Sequence, residues 1–425
     1  MIASIIVFAA SVLVVGTDAP TVQATLDLAR AGDTVLVPEG IWPGPVDVDR
    51  AVTLSGDGGV IDGGGRGTVV RISAPGARLL RLEVRNSGTD RRGPDSCVYI
   101  APEAVGAVVE DSTLSECTFG IWVHEGRGVR VEGNRITGRR DIVHRSNRGN
   151  GIHLFDCSGV RVAGNRVEGS RDGIYVSATE DSLILDNEVS DLRYGIHYMY
   201  SWGNTVRGNI ARRNITGLAM MSSNNLVVKE NIATDNEAHG ILFRDVQYSE
   251  ISDNIVERNG EGLFFFSTLD NTLEGNRVAH NAIGARVWAG TERNVFRNNA
   301  FIGNEQQVYY VAAASQTWGD AEGGNYWSDY LGWDQDGDGR GDRPYKVDSF
   351  TAGLLYRFPA ATLLMASPAI ELLKRLEDQL PILAVPTVVD ESPSLSIPHR
   401  GHAGPVPSDF RSETPSPPAR REEGS

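Results

Sequence analysis

Between Gly120 and Val287, apolar and polar positions recur in a fixed order that matches neither an amphipathic helix nor one long alternating strand. Segments of the form Gly-Ile/Leu-x-apolar begin at Gly120, Gly151, Gly173, Gly195, Gly217, Gly240 and Gly262, with a worn Gly-Ala-Arg-Val copy at Gly284. From Gly151 the steps are 22, 22, 22, 23, 22 and 22 residues. So even a stride marks stacked copies of one unit that buries its apolar face only against its neighbours. Each stride holds short β-rich runs parted by turn residues, as in Leu183-Ile184-Leu185, Glu188-Val189 and Gly195 to Met199. The pattern predicts an all-β chain wound as a right-handed parallel β-helix of about 22 residues per coil. A propeller would need about double that period.

A second series keeps the same step. Asn134, Asn165, Asn187, Asn209, Asn231, Asn254, Asn276 and Asn298 each stand between two strand runs. Asn tolerates the left-handed backbone, and amides stacked at a strand spacing of about 4.8 Å bond to one another, so a structural ladder is expected. Within the Gly-Ile strands, a period of two separates the faces. Leu154, Val176, Tyr198, Met220, Phe243, Phe265 and Val287 belong to the core side. The outward side takes Trp122 and His124, His153 and Phe155, Tyr175 and Ser177, His197 and Met199, Ala219 and Met221, Leu242 and Arg244, Phe264 and Phe266, and Arg286 and Trp288. So apolar an outward face predicts a covered or binding surface.

The flanks break the pattern. Residues 1–16 are apolar and uncharged, too short for a comfortable membrane span, and 1–18 read as an export signal, with a buried first strand as the alternative. Val22, Leu26 and Leu28–Ala29 form the stripe of a short helix over 20–33, a cap for the first coil. The β-helix is expected to run over 19–349, closed by a Gly- and Asp-rich loop at 323–347. Beyond it, 350–383 hold an apolar segment broken by Arg357 and Pro359 and an amphipathic helix with Ile370, Leu373, Leu376 and Leu380 on one face, expected to dock on a partner. Residues 390–425 are Pro, Ser, Arg and Glu with little to bury, and are expected to be disordered.

Composition narrows the functions. A net charge of −15 from 40 basic and 55 acidic residues excludes wrapping of nucleic acid. Three Cys close no disulfide framework. Cys97 and Cys117 lie about one stride apart; three small core residues are the preferred reading and a bridge between those two the alternative. The stride from Gly120 to Gly151 is 31 residues, so a loop is inserted near 137–150; it carries Arg139, Arg140, Arg145 and Arg148. A long loop on a regular scaffold is a place for function.

Two groups of residues suggest metal chemistry. Met199 and Met221 occupy the same position of consecutive repeats, with His197 on the strand of Met199. Thioethers and an imidazole suit a soft ion, above all Cu(I), with His153 a more distant candidate ligand. The alternative is that the two Met cover hydrophobic surface beneath a partner. Asp334, Asp336, Asp338 and Asp342, among Gly337, Gly339 and Gly341, space oxygens much as a calcium loop does, but Tyr345 stands where its closing Glu would be. For an enzyme, Asp172 with Arg171 and the Arg-rich loop is the best candidate, as in the carbohydrate-active lyases and epimerases that use this fold. The later coils offer hydrophobic residues where such enzymes need carboxylates.

The repeats, followed by GGNYWSDYLGWDQDGDGRGDRPY at 323–345 and SPAIELLKRLEDQLPIL at 367–383, resemble the NosD family of periplasmic maturation factors for the copper centres of nitrous oxide reductase. The likeness extends over roughly 20–390. It implies a non-enzymatic, exported β-helix that works with an ABC-type ATPase and a membrane permease, held at the membrane through that complex. It also implies receipt of copper from a lipoprotein chaperone and delivery to nitrous oxide reductase.

Overall fold

The first described rung, Val12–Val14, pairs in parallel with Thr34–Leu36, and the adjoining Val15 is buried. The computed structural model describes residues 10–310, 316–347, 367 and 388–398. The described part of the segment expected to be an export signal is therefore part of the fold. Residues 350–383, expected to dock on a partner, lie outside the described residues except for Ser367. The capping helix is present at Val22–Leu28, with Thr21 Oγ1 accepting the Ala24 N–H at 3.1 Å. Val22 and Leu26 are buried against the first coil, whereas Leu28, placed on the same stripe by the sequence, faces solvent.

From there the chain coils as a parallel β-helix. One face is a twelve-stranded sheet running from Val46–Val48 to Gln306–Tyr310. Its register follows the repeat: Ile174 pairs with Ile196 and then Leu218, and Tyr175 with His197 and then Ala219. Leu154, Val176, Tyr198, Met220, Phe243, Phe265 and Val287 are all buried in one continuous core, as the period of two requires.

The repeated glycine is required by space rather than by backbone conformation. A Cβ on Gly195 would lie 2.5 Å from the Gly217 carbonyl oxygen, and one on Gly217 2.5 Å from that of Gly240. A side chain at this corner would push successive coils apart, so the stride is read most clearly at its glycines.

The asparagine ladder is present and larger than expected. Asn187 gives both its backbone N–H and its Nδ2 to Asn209 Oδ1, and Asn209 does the same to Asn231, at 2.9–3.0 Å. A second ladder climbs another corner through Asn214, Asn236, Asn259, Asn281 and Asn304. The first ladder departs from expectation at its end: Asn276 donates to Asn299, not Asn298. Strand pairing there advances by 23 residues (Thr272 with Val295), so an even stride lands one residue short. Asn298 instead takes the left-handed turn, with φ 53°.

Two sequence expectations are corrected. Cys97 and Cys117 are not two unlinked core residues but a disulfide, with Cα atoms 5.5 Å apart, while Cys157 stays free and buried. Both half-cystines are buried, on strands of two different sheets that meet in the core, where spacing alone does not separate packing from bonding. The tail from 390 does not begin unfolded. Val388–Asp390 pairs antiparallel with Tyr345–Val347, and Trp318 pairs with Asp390. The fully buried Asp390 carboxylate closes the ladder: Oδ2 accepts Asn325 N at 2.7 Å, Asn325 Nδ2 at 3.0 Å and Trp327 Nε1 at 3.0 Å. Asp390→Ala would leave these donors without an acceptor and is expected to cost about 3 kcal/mol. Urea unfolding measures the loss, and hydrogen exchange should place it in the last coils.

Candidate functional site

The site forms on the outward side of the twelve-stranded sheet, over the coils that begin at Gly120 to Gly217. Here the third position of each strand carries Trp122, His153, Tyr175 and His197 in direct register. Their rings make a continuous stack, with centroids 3.7 Å apart for Trp122 and His153, 4.7 Å for His153 and Tyr175, and 4.9 Å for Tyr175 and His197. Tyr194 meets His197 edge-on at 4.7 Å. The column faces outward, yet His153 and His197 are each only 7 % exposed because neighbouring rings lie over them.

His197 is held by a buried carboxylate. Asp172 Oδ2 lies 3.1 Å from His197 Nδ1. Arg193 grips the same carboxylate from both sides, with Nε to Oδ1 at 2.8 Å and Nη2 to Oδ2 at 2.6 Å. Asp172 has no exposed surface. Burial alone would raise its pKa, but the bonds from His197 and Arg193 outweigh that and hold it below the usual carboxylate range. An ionised carboxylate only accepts, so Nδ1 carries the proton of this bond and Nε2 is the nitrogen left for a further partner. That Nε2 is buried and has no hydrogen-bond partner among the described residues. A histidine oriented by a carboxylate, with its second nitrogen bare, is the arrangement found behind metal-bound imidazoles.

Met199 and Met221 are register partners on adjacent strands, one spacing of about 4.8 Å apart, and both are half-buried. The expected trio therefore shares one sheet face, His197 two residues before Met199. His153 lies two coils away. Its Nδ1 is 3.2 Å from Asn150 Nδ2, and burial, reinforced by Arg171, pushes its pKa down to about 3.

The sequence pointed to Asp172 as a possible catalytic carboxylate and missed its link to His197. A strict period of two carried back through Gly173 turns Asp172 inward with Ile174; the corner at the glycine instead brings its carboxylate round to His197. Arg193 and Tyr194, one coil on beside Gly195, carried no signal of their own. Asp172 is contacted by Arg193, Arg171 and His197, the pattern of a positioning group rather than one half of an acid–base pair.

Two clefts flank the ring column. One, of about 660 Å³, lies between the Arg-rich loop and Trp122; the other, of about 460 Å³, continues over Tyr99, His153 and Tyr175. The acidic loop is separate. Carboxylate oxygens of Asp334, Asp336 and Asp338 come within 4.8 Å of one another, and Asp342 falls outside the group. The loop's own backbone uses them: Asp334 accepts from Gly337 and Gly339, Asp336 from Asp338, Asp338 from Arg340, and Asp342 from Gln335. Among the described residues, no helix is long and apolar enough to cross a membrane.

The fold defines the class: a parallel β-helix of the pectin-lyase-like type. It resembles an exopolygalacturonase from Thermotoga maritima, 12% identical with TM-score 0.55, over 67% of this chain and 88% of that one. It also resembles the Streptococcus pneumoniae surface adhesin PfbA, 12% identical with TM-score 0.54, over 68% and 94%. At such identities the likeness is one of fold. A family profile described as "Periplasmic copper-binding protein (NosD)" matches residues 133–332. Proteins named "Probable ABC transporter binding protein NosD" are 38% identical in Pseudomonas aeruginosa, over 84% of this chain and 87% of that one, and 37% identical in Stutzerimonas stutzeri, over 89% and 91%. The chain belongs to the NosD family.

Proposed function

We propose that this protein is a non-enzymatic, periplasmic accessory protein of an ABC transporter that carries copper as cargo for the copper centres of nitrous oxide reductase. The family description and the names of its relatives support copper, the periplasm and the transporter. In this reading an ABC-type ATPase and permease hold it at the membrane through residues 350–383. A lipoprotein chaperone supplies the metal, and nitrous oxide reductase receives it.

The observation that carries the reading is His197, with Nδ1 fixed on Asp172 and Nε2 bare and unpartnered among the described residues. With the Met199 and Met221 thioethers on the same face, the donor set is one imidazole nitrogen and two soft sulfurs, which suits Cu(I) and disfavours hard cations. His153 is a secondary ligand at most, since Asn150 Nδ2 donates to its Nδ1 and so leaves the ring proton on Nε2. The reading gives calcium no role; the loop of Asp334, Asp336, Asp338 and Asp342, whose carboxylates also accept backbone N–H groups of their own turn, stays a separate candidate for a hard cation.

The test is an anaerobic Cu(I) titration against a chromogenic chelator. Met199→Ala with Met221→Ala is expected to weaken affinity by about two orders of magnitude, some 2.7 kcal/mol. Unchanged affinity in the double variant would remove these residues from the site.

A further inference from the structure

Beside the His197 cluster lies a concentration of positive charge that copper binding leaves unused. The larger cleft is lined by Arg91, Arg92, Arg148 and Arg171, with Trp122 and His153 as its apolar wall. Asp90 is the single acidic residue on that lining, in a chain whose net charge is −15. Among the described residues, none of the four guanidinium groups is hydrogen-bonded to a carboxylate. Arg91 gives to the Ser146 carbonyl at 3.4 Å, and Arg148 to those of Ile142 at 2.7 Å and Gly169 at 2.9 Å. Arg171 gives Nε to Asn150 Oδ1 at 3.2 Å and stands 3.6 Å from Asp172, whose oxygens Arg193 and His197 already hold. The acidic groups nearby are spent on backbone: Asp90 accepts from Arg92 N, and Asp95 from Asp90 N.

Four cations gathered with so little counter-charge repel one another, and an anion brought from outside relieves the repulsion. Guanidinium forks match carboxylates in particular. The smaller cleft shares Arg92, Trp122 and His153 and runs on to Tyr175, so the two make one groove, cationic at one end and aromatic at the other. The aromatic end reaches the copper residues, since Tyr175 touches His197 with ring centroids 4.9 Å apart. His153, within the groove, is two strand spacings, about 10 Å, from His197.

We propose that this groove seats an extended acidic peptide segment of the protein that brings copper. Its carboxylates lie on the arginines and an aromatic or aliphatic side chain lies against Trp122 and Tyr175. A peptide fits better than an acidic glycan, because the charges gather at one end and the rings at the other. A uronate chain carries a carboxylate at every residue and does not match that division. That the peptide belongs to a copper carrier rests on the function proposed above; recognition of an acidic peptide does not.

The test uses copper-free, full-length protein and a dye-labelled peptide of Asp and Glu with one Phe, followed by fluorescence anisotropy. The wild type is expected to bind it with strong salt dependence. Arg91→Ala with Arg92→Ala should weaken binding at least about tenfold, while Cu(I) affinity is unchanged. Arg92→Glu, at an exposed position, should weaken it further, and Trp122→Leu should weaken it without altering the salt dependence. No binding by the wild type, or equal binding by the arginine variants, overturns the proposal. So does an oligogalacturonate that displaces the peptide and binds more tightly, which would make the groove a glycan site. With no metal in the assay, failure here is separate from failure of the Met199 and Met221 titration.

Discussion

Alanine in place of Asp172 is expected to destabilise the protein by about 3–5 kcal/mol, the cost of stripping a buried charge of its partner. Arg193 would lose both of its bonds to the carboxylate, and His197 the bond that fixes its ring. Asp172→Asn keeps the shape but lacks the charge, and should fall between. The pH dependence follows from the lowered pKa of Asp172. Its contribution is fully present above the pKa of an unfolded aspartate and is lost as pH falls through the lower, folded value. Wild-type stability should therefore drop on acidification through that window, and Asp172→Asn should drop less. Chemical denaturation across a pH series reads both. In Cu(I) titration, either variant should also lose about 10–100-fold in affinity, since a freed imidazole no longer presents Nε2 in one place. A stable Asp172→Ala with unaltered copper affinity would show that the carboxylate positions nothing.

The other large effect is expected in the ladder. Asn209→Leu removes the acceptor of two Asn187 donors, and it removes the Nδ2 that bonds the Ile184 carbonyl. Asn187 Nδ2 keeps its bond to Val162, so at about 1–3 kcal/mol for each of the two other buried groups the loss should be about 2–6 kcal/mol. In a solenoid each coil is stabilised by its neighbours alone, so the damage should stay local. Hydrogen exchange should show the coils on both sides of Asn209 opening while the disulfide-bearing coils remain protected. Protection lost uniformly along the chain would mean that the solenoid melts as one unit.

The architecture was legible in the sequence because steric need repeats. Each corner glycine, from Gly151 to Gly262, exists because another strand crosses within 2.8 Å of where its Cβ would be, and such a need marks every coil alike. An even stride points to Asn298 where Asn299 serves, because one added residue shifts the register and either neighbour fits the pattern. The site was legible only in part. Outward residues could be named from alternation, and His197, Met199 and Met221 do share a face. Asp172 and Arg193 act across a coil boundary at a corner, where alternation fails and no local spacing records which side chains meet. The Cys97–Cys117 bond was open for a related reason, since a stride of separation fits packing and bonding equally well.

The amide ladder also has a polarity. At every step the earlier coil donates and the later one accepts, beginning with Ser112 N to Asn134 Oδ1 and ending at Asp390, a carboxylate that accepts and passes nothing on. Like a chain terminator in a growing polymer, Asp390 is the group with which the series can stop. Each asparagine before it instead offers Nδ2 to the next coil, as Asn325 does to Asp390 Oδ2. The repeat number is thus free to change by whole coils in the interior, while the end is fixed by one chemically different residue drawn from beyond the repeats.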